Sequence, residues 1–245
     1  MNLRRTLLIP SLALGLMTSG CGVQKPWSTV HADSKTPLEI VLEQLDAASK
    51  TFKSAQADLK QDIYTRAVRA DDIDTGSVFF ERSGSGQNMG VAIFEPGPDG
   101  KPTKSPSKIY LYDGATFQLY TPGLNQVDVY QAGANQSKYE SFLTLGFGGS
   151  GTALAKAWKI TDQGPETIDG VKTEKLDLVS KDPNVTNLFT HITINIDPAR
   201  GVSLKQVFFA PNGDIRTTNY TNIRLNASIN KHPYAISGKT TRIPH

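Results

Sequence analysis

From residue 57 onward the chain is broken at short intervals by turn signals, and this spacing constrains the fold more than any other feature. Pro98-Asp99-Gly100, Asp113-Gly114, Asp169-Gly170, Asp197-Pro198 and Asn212-Gly213 separate segments rich in β-branched and aromatic residues. Strands are predicted around 57–69, 75–82, 89–95, 107–113, 116–121, 126–131, 158–163, 171–179, 189–196, 201–209 and 214–225. Such short connections favour antiparallel neighbours, because parallel strands need long crossovers. In HITINID the apolar Ile192, Ile194 and Ile196 alternate with Thr193 and Asn195, which predicts one buried face and one wet face. The pattern interrupts itself between 136 and 157. There SKYESFLTLG and GTALAKAW read as helical on either side of GFGGSG, a glycine-rich stretch expected to be a flexible connector.

One helix precedes the strands. Thr36 is placed to cap it, Pro37 suits its first position, and Glu39 completes a capping box. Leu38, Val41, Leu42, Leu45, Ala48 and Phe52 then recur at helical spacing and end near Lys53 or Ser54. A sheet of this many strands accumulates twist and curls. If it curls without closing, its concave face needs cover, and the opening helix and the mid-chain insertion are the available plugs. The fold class expected is α+β: a strongly curved antiparallel β-sheet, an incomplete β-barrel, covered by an N-terminal helix and mid-chain helices. The domain reading is a signal peptide at 1–20, an anchored N-terminus and flexible tether at 21–35, and one half-barrel domain at 36–245.

Cys21 is the chain's single cysteine. One thiol can close no internal disulfide and build no structural zinc site. It follows Arg4, Arg5 and a run from Thr6 to Met17 of mostly Leu, Ile and Ala, too short to span a bilayer but suited to the core of a secretory signal. Thr18-Ser19-Gly20-Cys21 resembles the lipobox of bacterial lipoproteins, with Thr18 standing where leucine is usual. The resemblance implies that Cys21 is acylated and becomes the mature N-terminus. The alternative is an ordinary cleaved signal beside a chance cysteine. Residues 22–35, GVQKPWSTVHADSK, are polar and aperiodic, as a tether would be.

The order of elements also carries a resemblance. It is similar to the LolA/LolB superfamily of bacterial lipoprotein carriers and receptors, and to certain mycobacterial glycolipid-binding lipoproteins. The matching stretches are LEQLDAASKTFKSAQADLKQ, GSVFFER, KIYLYDGATFQLYTPGLNQVDVY and TTNYTNIRLNASI, within residues 36–240. The resemblance implies an incomplete barrel with a helical lid and an acyl-chain cavity. Ser83 stands where that family has proline, so Arg82 matches its arginine only loosely. The loop PGPDGKPTKSPS has no large apolar side chain of the kind the receptor branch inserts into membranes.

Other chemistry is poorly served. The net charge is +3 and falls to +1 when Arg4 and Arg5 are removed (3 minus 2), with no dense Lys/Arg block, so no nucleic-acid partner is expected. Tyr110, Tyr112, Phe117, Tyr120 and Tyr130 then read as packing or pocket lining. No GxSxG, HExxH or CxxC occurs, and His31, His191, His232 and His245 are scattered. GFGGSG lacks the Lys-Ser/Thr of a phosphate loop. Asp71, Asp72 and Asp74 do not fit a calcium loop and read as a solvated turn. No enzyme, metal or cofactor is expected.

Two functions remain. The first is a membrane-anchored lipoprotein that binds lipid or lipoprotein acyl chains, in lipoprotein sorting or envelope lipid transport. An exposed 16-carbon chain costs on the order of 12 kcal/mol in water, so carriage requires a shielding cavity. The candidate liners are Phe80, Val91, Ile93, Ile109, Leu111, Phe117, Leu119, Ile192, Ile194 and Leu204, each of which could equally be ordinary core. The second is a non-enzymatic envelope scaffold with a filled core and a protein partner. Either places the chain in the cell envelope, and Gly22 after the cysteine, where Asp is absent, resembles outer-membrane sorting in some bacteria, which implies an anchor in the outer membrane facing the periplasm.

Overall fold

The computed structural model describes residues 35–84, 86–133, 145–236 and 238–245. The signal segment, Cys21, the tether through 34 and most of SKYESFLTLG lie outside the described residues. Helix α1 (Pro37–Thr51) begins where the sequence places it. Thr36 Oγ1 accepts from the Glu39 amide at 3.3 Å, and Glu39 Oε2 accepts from the Thr36 amide at 2.7 Å. Helix α2 (Gly151–Ala157) is capped by Ser150, and the single turn α3 (Pro183–Thr186) by Asp182. Each cap satisfies amides that a helix start leaves unpaired.

Twelve strands form one sheet: β1 (Ser54–Thr65), β2 (Ala70–Ser83), β3 (Gly86–Phe94), β4 (Lys108–Tyr112), β5 (Thr116–Thr121), β6 (Gln126–Gln131), β7 (Trp158–Ile168), β8 (Val171–Ser180), β9 (His191–Asp197), β10 (Val202–Phe209), β11 (Ile215–Leu225) and β12 (Thr241–Pro244). Their spatial order is β12-β6-β5-β4-β3-β2-β1-β11-β10-β9-β8-β7. The sheet does not close, because its two ends, β7 and β12, are not paired with each other. It is the incomplete antiparallel barrel expected, with one addition. The short β12, which the turn signals do not announce, pairs in parallel with β6. Both edges are blunted against further pairing: β7 carries a bulge at Gln163-Gly164 and β12 is four residues long and ends in Pro244.

Most sequential strands pair as antiparallel neighbours, and a long-range join lies at the centre, where β1 pairs with β11 from Ala55–Leu225 to Tyr64–Ile215. Cross-strand register assigns the faces. Val78 and Phe80 share the concave side with Val91 and Met89, their partners on β3, while Phe79 points the other way. On the concave side α1 lays Val41 and Leu45 onto Trp158, Leu176, Leu178, Ile192, Ile194 and Ile196. On the convex side the segment after β11 folds back, and Tyr234 packs edge-on against Phe79 at 4.8 Å, over Ala92, Ile109, Tyr120 and Val127.

Three expectations are corrected. Thr193 and Asn195 are buried, so HITINID has no wet face. Asn195 donates to Glu166 Oε2 at 2.9 Å, and the aliphatic stems of its cross-strand neighbours Lys175 and Lys205 can cover this face. Asp71, Asp72 and Asp74 belong to β2, paired with Tyr64, Ile63 and Gln61, while the turn itself is residues 66–69. The glycine-rich stretch is a packed strap, not a flexible connector. Phe147 within it is fully buried, bridges to Val202, and stacks on Phe80 at 4.4 Å. Its glycines are needed there: at Gly148, with φ +70°, an added Cβ would sit 2.2 Å from the Phe52 ring.

Candidate functional site, an apolar cavity under the helical cover

Among the described residues, helix α1, the strap and α2 cover part of the concave face. Asp46 of α1 accepts from the Thr152 amide at 2.9 Å and from Thr152 Oγ1 at 2.8 Å, and these bonds hold its carboxyl below the usual aspartate range. Arg82 ties the cover to the sheet. Its guanidinium donates to the Ser49 carbonyl at 2.7 Å and the Gly148 carbonyl at 3.0 Å, and lies over the Phe52 ring. Charge-assisted donors of this kind suit carbonyls left without partners at a helix end and in a non-repeating strap.

Beside this cover the concave face opens into a cavity of about 310 Å³. Its walls come from β1 (Leu59, Gln61), β2 (Val78, Phe80), β3 (Met89, Val91, Ile93), β10 (Gln206, Phe208) and β11 (Arg216, Thr218, Tyr220), with Leu145 and Phe189 from the connections. Period two explains the set: every second residue of five neighbouring strands faces inward. Phe189 meets Phe208 edge-on at 5.1 Å.

The polar side chains of the wall other than Arg216 are occupied with one another or with backbone. Tyr220 donates to Gln206 Oε1 at 3.1 Å, Gln206 Nε2 donates to the Leu145 carbonyl, and Gln61 donates to Thr218 Oγ1 at 3.1 Å. Burial pushes the Tyr220 hydroxyl well above the ordinary tyrosine range, so it remains a donor. With these groups satisfied the interior presents hydrocarbon, and an apolar space of this size accepts hydrocarbon without breaking internal bonds.

Of the liners expected from sequence, Phe80, Val91 and Ile93 face the cavity. Leu204 and Phe117 belong to the adjoining concave core, and Leu119 shares that face through its pairing with Tyr110. Ile192 and Ile194 are on the concave side but sealed beneath α1 with no exposed surface. Ile109 and Leu111 point to the convex face, under the returning C-terminal segment. They differ from Tyr110 by one residue, and one residue reverses a strand's face. Sequence reasoning missed Leu59, Gln61, Val78, Met89, Leu145, Phe189, Gln206, Phe208, Arg216, Thr218 and Tyr220. In TTNYTNIRL the alternation was readable, but both faces are polar enough to hide which one turns inward. Of the four histidines, His191 contacts Asp177 at 2.6 Å and His245 contacts Asp128 at 3.0 Å, far apart in the strand order. His232 opens a short 3₁₀ turn, and His31 lies outside the described residues.

No protein-family model and no curated protein matches the sequence. Among solved structures, the chain is similar to an uncharacterized conserved protein from Thermus thermophilus, with a TM-score of 0.53, 11% identity, and coverage of 86% of this chain and 100% of that one. Lower scores relate it to Mycobacterium tuberculosis lipoprotein LppX (TM-score 0.44, 14% identity, 80% of this chain and 99% of that one). They also relate it to a LolA superfamily protein from Nitrosomonas europaea (TM-score 0.38, 14% identity, 80% of this chain and 96% of that one). The class these observations define is a fold: an open antiparallel half-barrel roofed by helix. That is the architecture implied by the sequence's resemblance to the LolA/LolB superfamily.

Proposed function

We propose that this chain is a lipoprotein that shelters a lipid or lipoprotein acyl chain inside the half-barrel, in lipoprotein sorting or lipid transport through the bacterial envelope. The observation that carries the reading is the 310 Å³ apolar cavity, whose polar wall side chains, Arg216 apart, are already hydrogen-bonded. A packed scaffold has no use for such a space. Residues 36–245 act as one binding domain without catalysis. Acylated Cys21 anchors it to a membrane through the tether 22–35, and Gly22 directs it to the outer membrane, where the body faces the periplasm.

The size of the cavity narrows the cargo. An apolar cavity of about 150 Å³ admits one benzene ring, or roughly 25 Å³ per carbon. On that scale 310 Å³ holds about a dozen carbons. This suits one acyl chain, not the several that a lipoprotein carries.

The test is to purify the full-length protein from membranes, extract it with organic solvent, and analyse the extract by mass spectrometry. Acyl-bearing molecules in stoichiometric amount, and displacement of a fluorescent fatty acid by them, are the expected result. Protein that is always lipid-free and ignores the probe overturns the proposal. Cys21→Ser should move the protein from the membrane to the soluble fraction while leaving probe binding unchanged.

A further inference from the structure

Among the described residues the cavity wall carries one charged side chain. Arg216 is exposed, and it is the only ionisable group other than the Tyr220 phenol among the lining residues. The nearest carboxylates make no ion pair with it: Asp72 and Asp74 share its face on β2, across Ile63 and Gln61 of β1, and are not bonded to it. Asp214, two residues before it, accepts from the Arg66 amide at 2.9 Å and from Asn212 Nδ2 at 2.7 Å. Glu95 pairs with Lys108 at 3.6 Å. Arg216, like the turn residues Arg66 and Arg69, makes no ion pair or side-chain hydrogen bond among the described residues, whereas Arg82, Arg200, Arg224 and Arg242 all do. An arginine whose neighbours across the sheet are Ile63 and Phe208 holds its five donors beside an apolar opening with nothing to receive them.

Its position along the cavity is also informative. Arg216 and Tyr220 both line the space and sit four residues apart on β11, about 13 Å at strand rise. Extended chain advances roughly 1.1–1.2 Å per bond, since three backbone bonds span about 3.3–3.6 Å. A hydrocarbon reaching from Arg216 to the Tyr220 end therefore has on the order of eleven bonds, in agreement with the dozen carbons given by volume.

We propose that the ligand is a single-chain amphiphile of about a dozen carbons in the cavity, with an anionic head, carboxylate or phosphate, received by Arg216. The inference rests on the acyl-binding reading above and adds the sign of the head and the length of the chain. Guanidinium donors match both oxyanions in a fork geometry, which an ammonium or hydroxyl head cannot use.

The full-length protein is titrated with dodecanoate, dodecyl phosphate, dodecanol and dodecyltrimethylammonium, each below its micelle concentration, by displacement of a fluorescent fatty acid. Both anions should bind about tenfold tighter than the alcohol, and the cation weakest. Arg216→Gln should weaken the anions about tenfold and leave dodecanol unchanged; Arg216→Lys should restore part of the loss. Tighter binding by the phosphate or by the carboxylate identifies the head and supports the proposal. Equal binding of all four chains, or an Arg216→Gln protein with undiminished preference for anions, overturns it while leaving the acyl-binding reading intact. Failure of every chain to bind overturns both. An octyl and a hexadecyl series of the favoured head should bracket the optimum near twelve carbons, and an optimum at sixteen or beyond would contradict the length.

Discussion

Filling the cavity from its own walls separates a binding protein from a scaffold by two readouts of opposite meaning. Val78 and Val91 are direct cross-strand partners and both face the space. Replacing each by Phe adds four carbons per site, eight in all, or about 200 Å³ at roughly 25 Å³ per carbon. Of the 310 Å³ present, on the order of 110 Å³ would remain, enough for about four carbons. A chain that buried a dozen carbons would lose about eight, and at ~0.8 kcal/mol each the deficit is roughly 6 kcal/mol. Half of that realised already weakens binding more than a hundredfold. The fold itself should not suffer, because the rings enter space that exists. Thermal unfolding of the ligand-free double variant should therefore occur at or above the parent midpoint. In a filled core the same change overpacks, costing about 1–3 kcal/mol per site. A 3 kcal/mol loss in a chain of this size lowers the midpoint by about 6–12 °C. A double variant that melts several degrees early and still takes up fatty-acid probe with parental affinity refutes the reasoning.

Three further outcomes can be checked independently. Gly148→Ala forces a side chain into left-handed backbone against the Phe52 ring and should cost about 2–3 kcal/mol in urea unfolding, whereas the open Gly170→Ala position should cost about 1. Tyr234→Ala removes the ring that closes the convex cluster over Phe79; a loss of about 3 kcal/mol is expected with no change in probe binding, since the cavity lies on the other face. The Asp46–Thr152 join should loosen in acid. The carboxyl titrates below its ordinary value when folded, so its contribution is present above about pH 4 and is lost as pH falls through the lower folded value. The protection factor of the Thr152 amide against hydrogen exchange should fall over that window in the parent, and be already low and independent of pH in Asp46→Asn.

What the sequence disclosed follows from the range of the interactions involved. The capping box at Thr36 and Glu39, the stripe of α1 and the eleven longer strands are written within a few residues of one another, and were read within a few residues of their ends. Turn dipeptides did the same for the hairpins. Inward and outward faces are set by partners far away in sequence. Ile109 and Tyr110 look equally suited to a cavity until β4 is paired with β3, and Arg216 becomes interesting only when β11 lies beside β10 and β1. The strap misled because glycine carries two messages. It marks freedom in an unfolded chain, but beside Phe52 and Leu42 it marks absence of room. β12 gave no local signal at all, since four residues held by β6 need no periodicity of their own.

The stitch between β1 and β11 has a consequence for how the protein is made. Most pairings link strands that leave the ribosome together, but β1 must wait for a partner roughly 150 residues downstream. Until then its outer rim is a naked row of donors and acceptors above an oily trough, the kind of template that seeds clumping. Assembly should thus be slow for its length and gated by that last closure. An unfinished chain would depend on a chaperone to keep that rim from other strands.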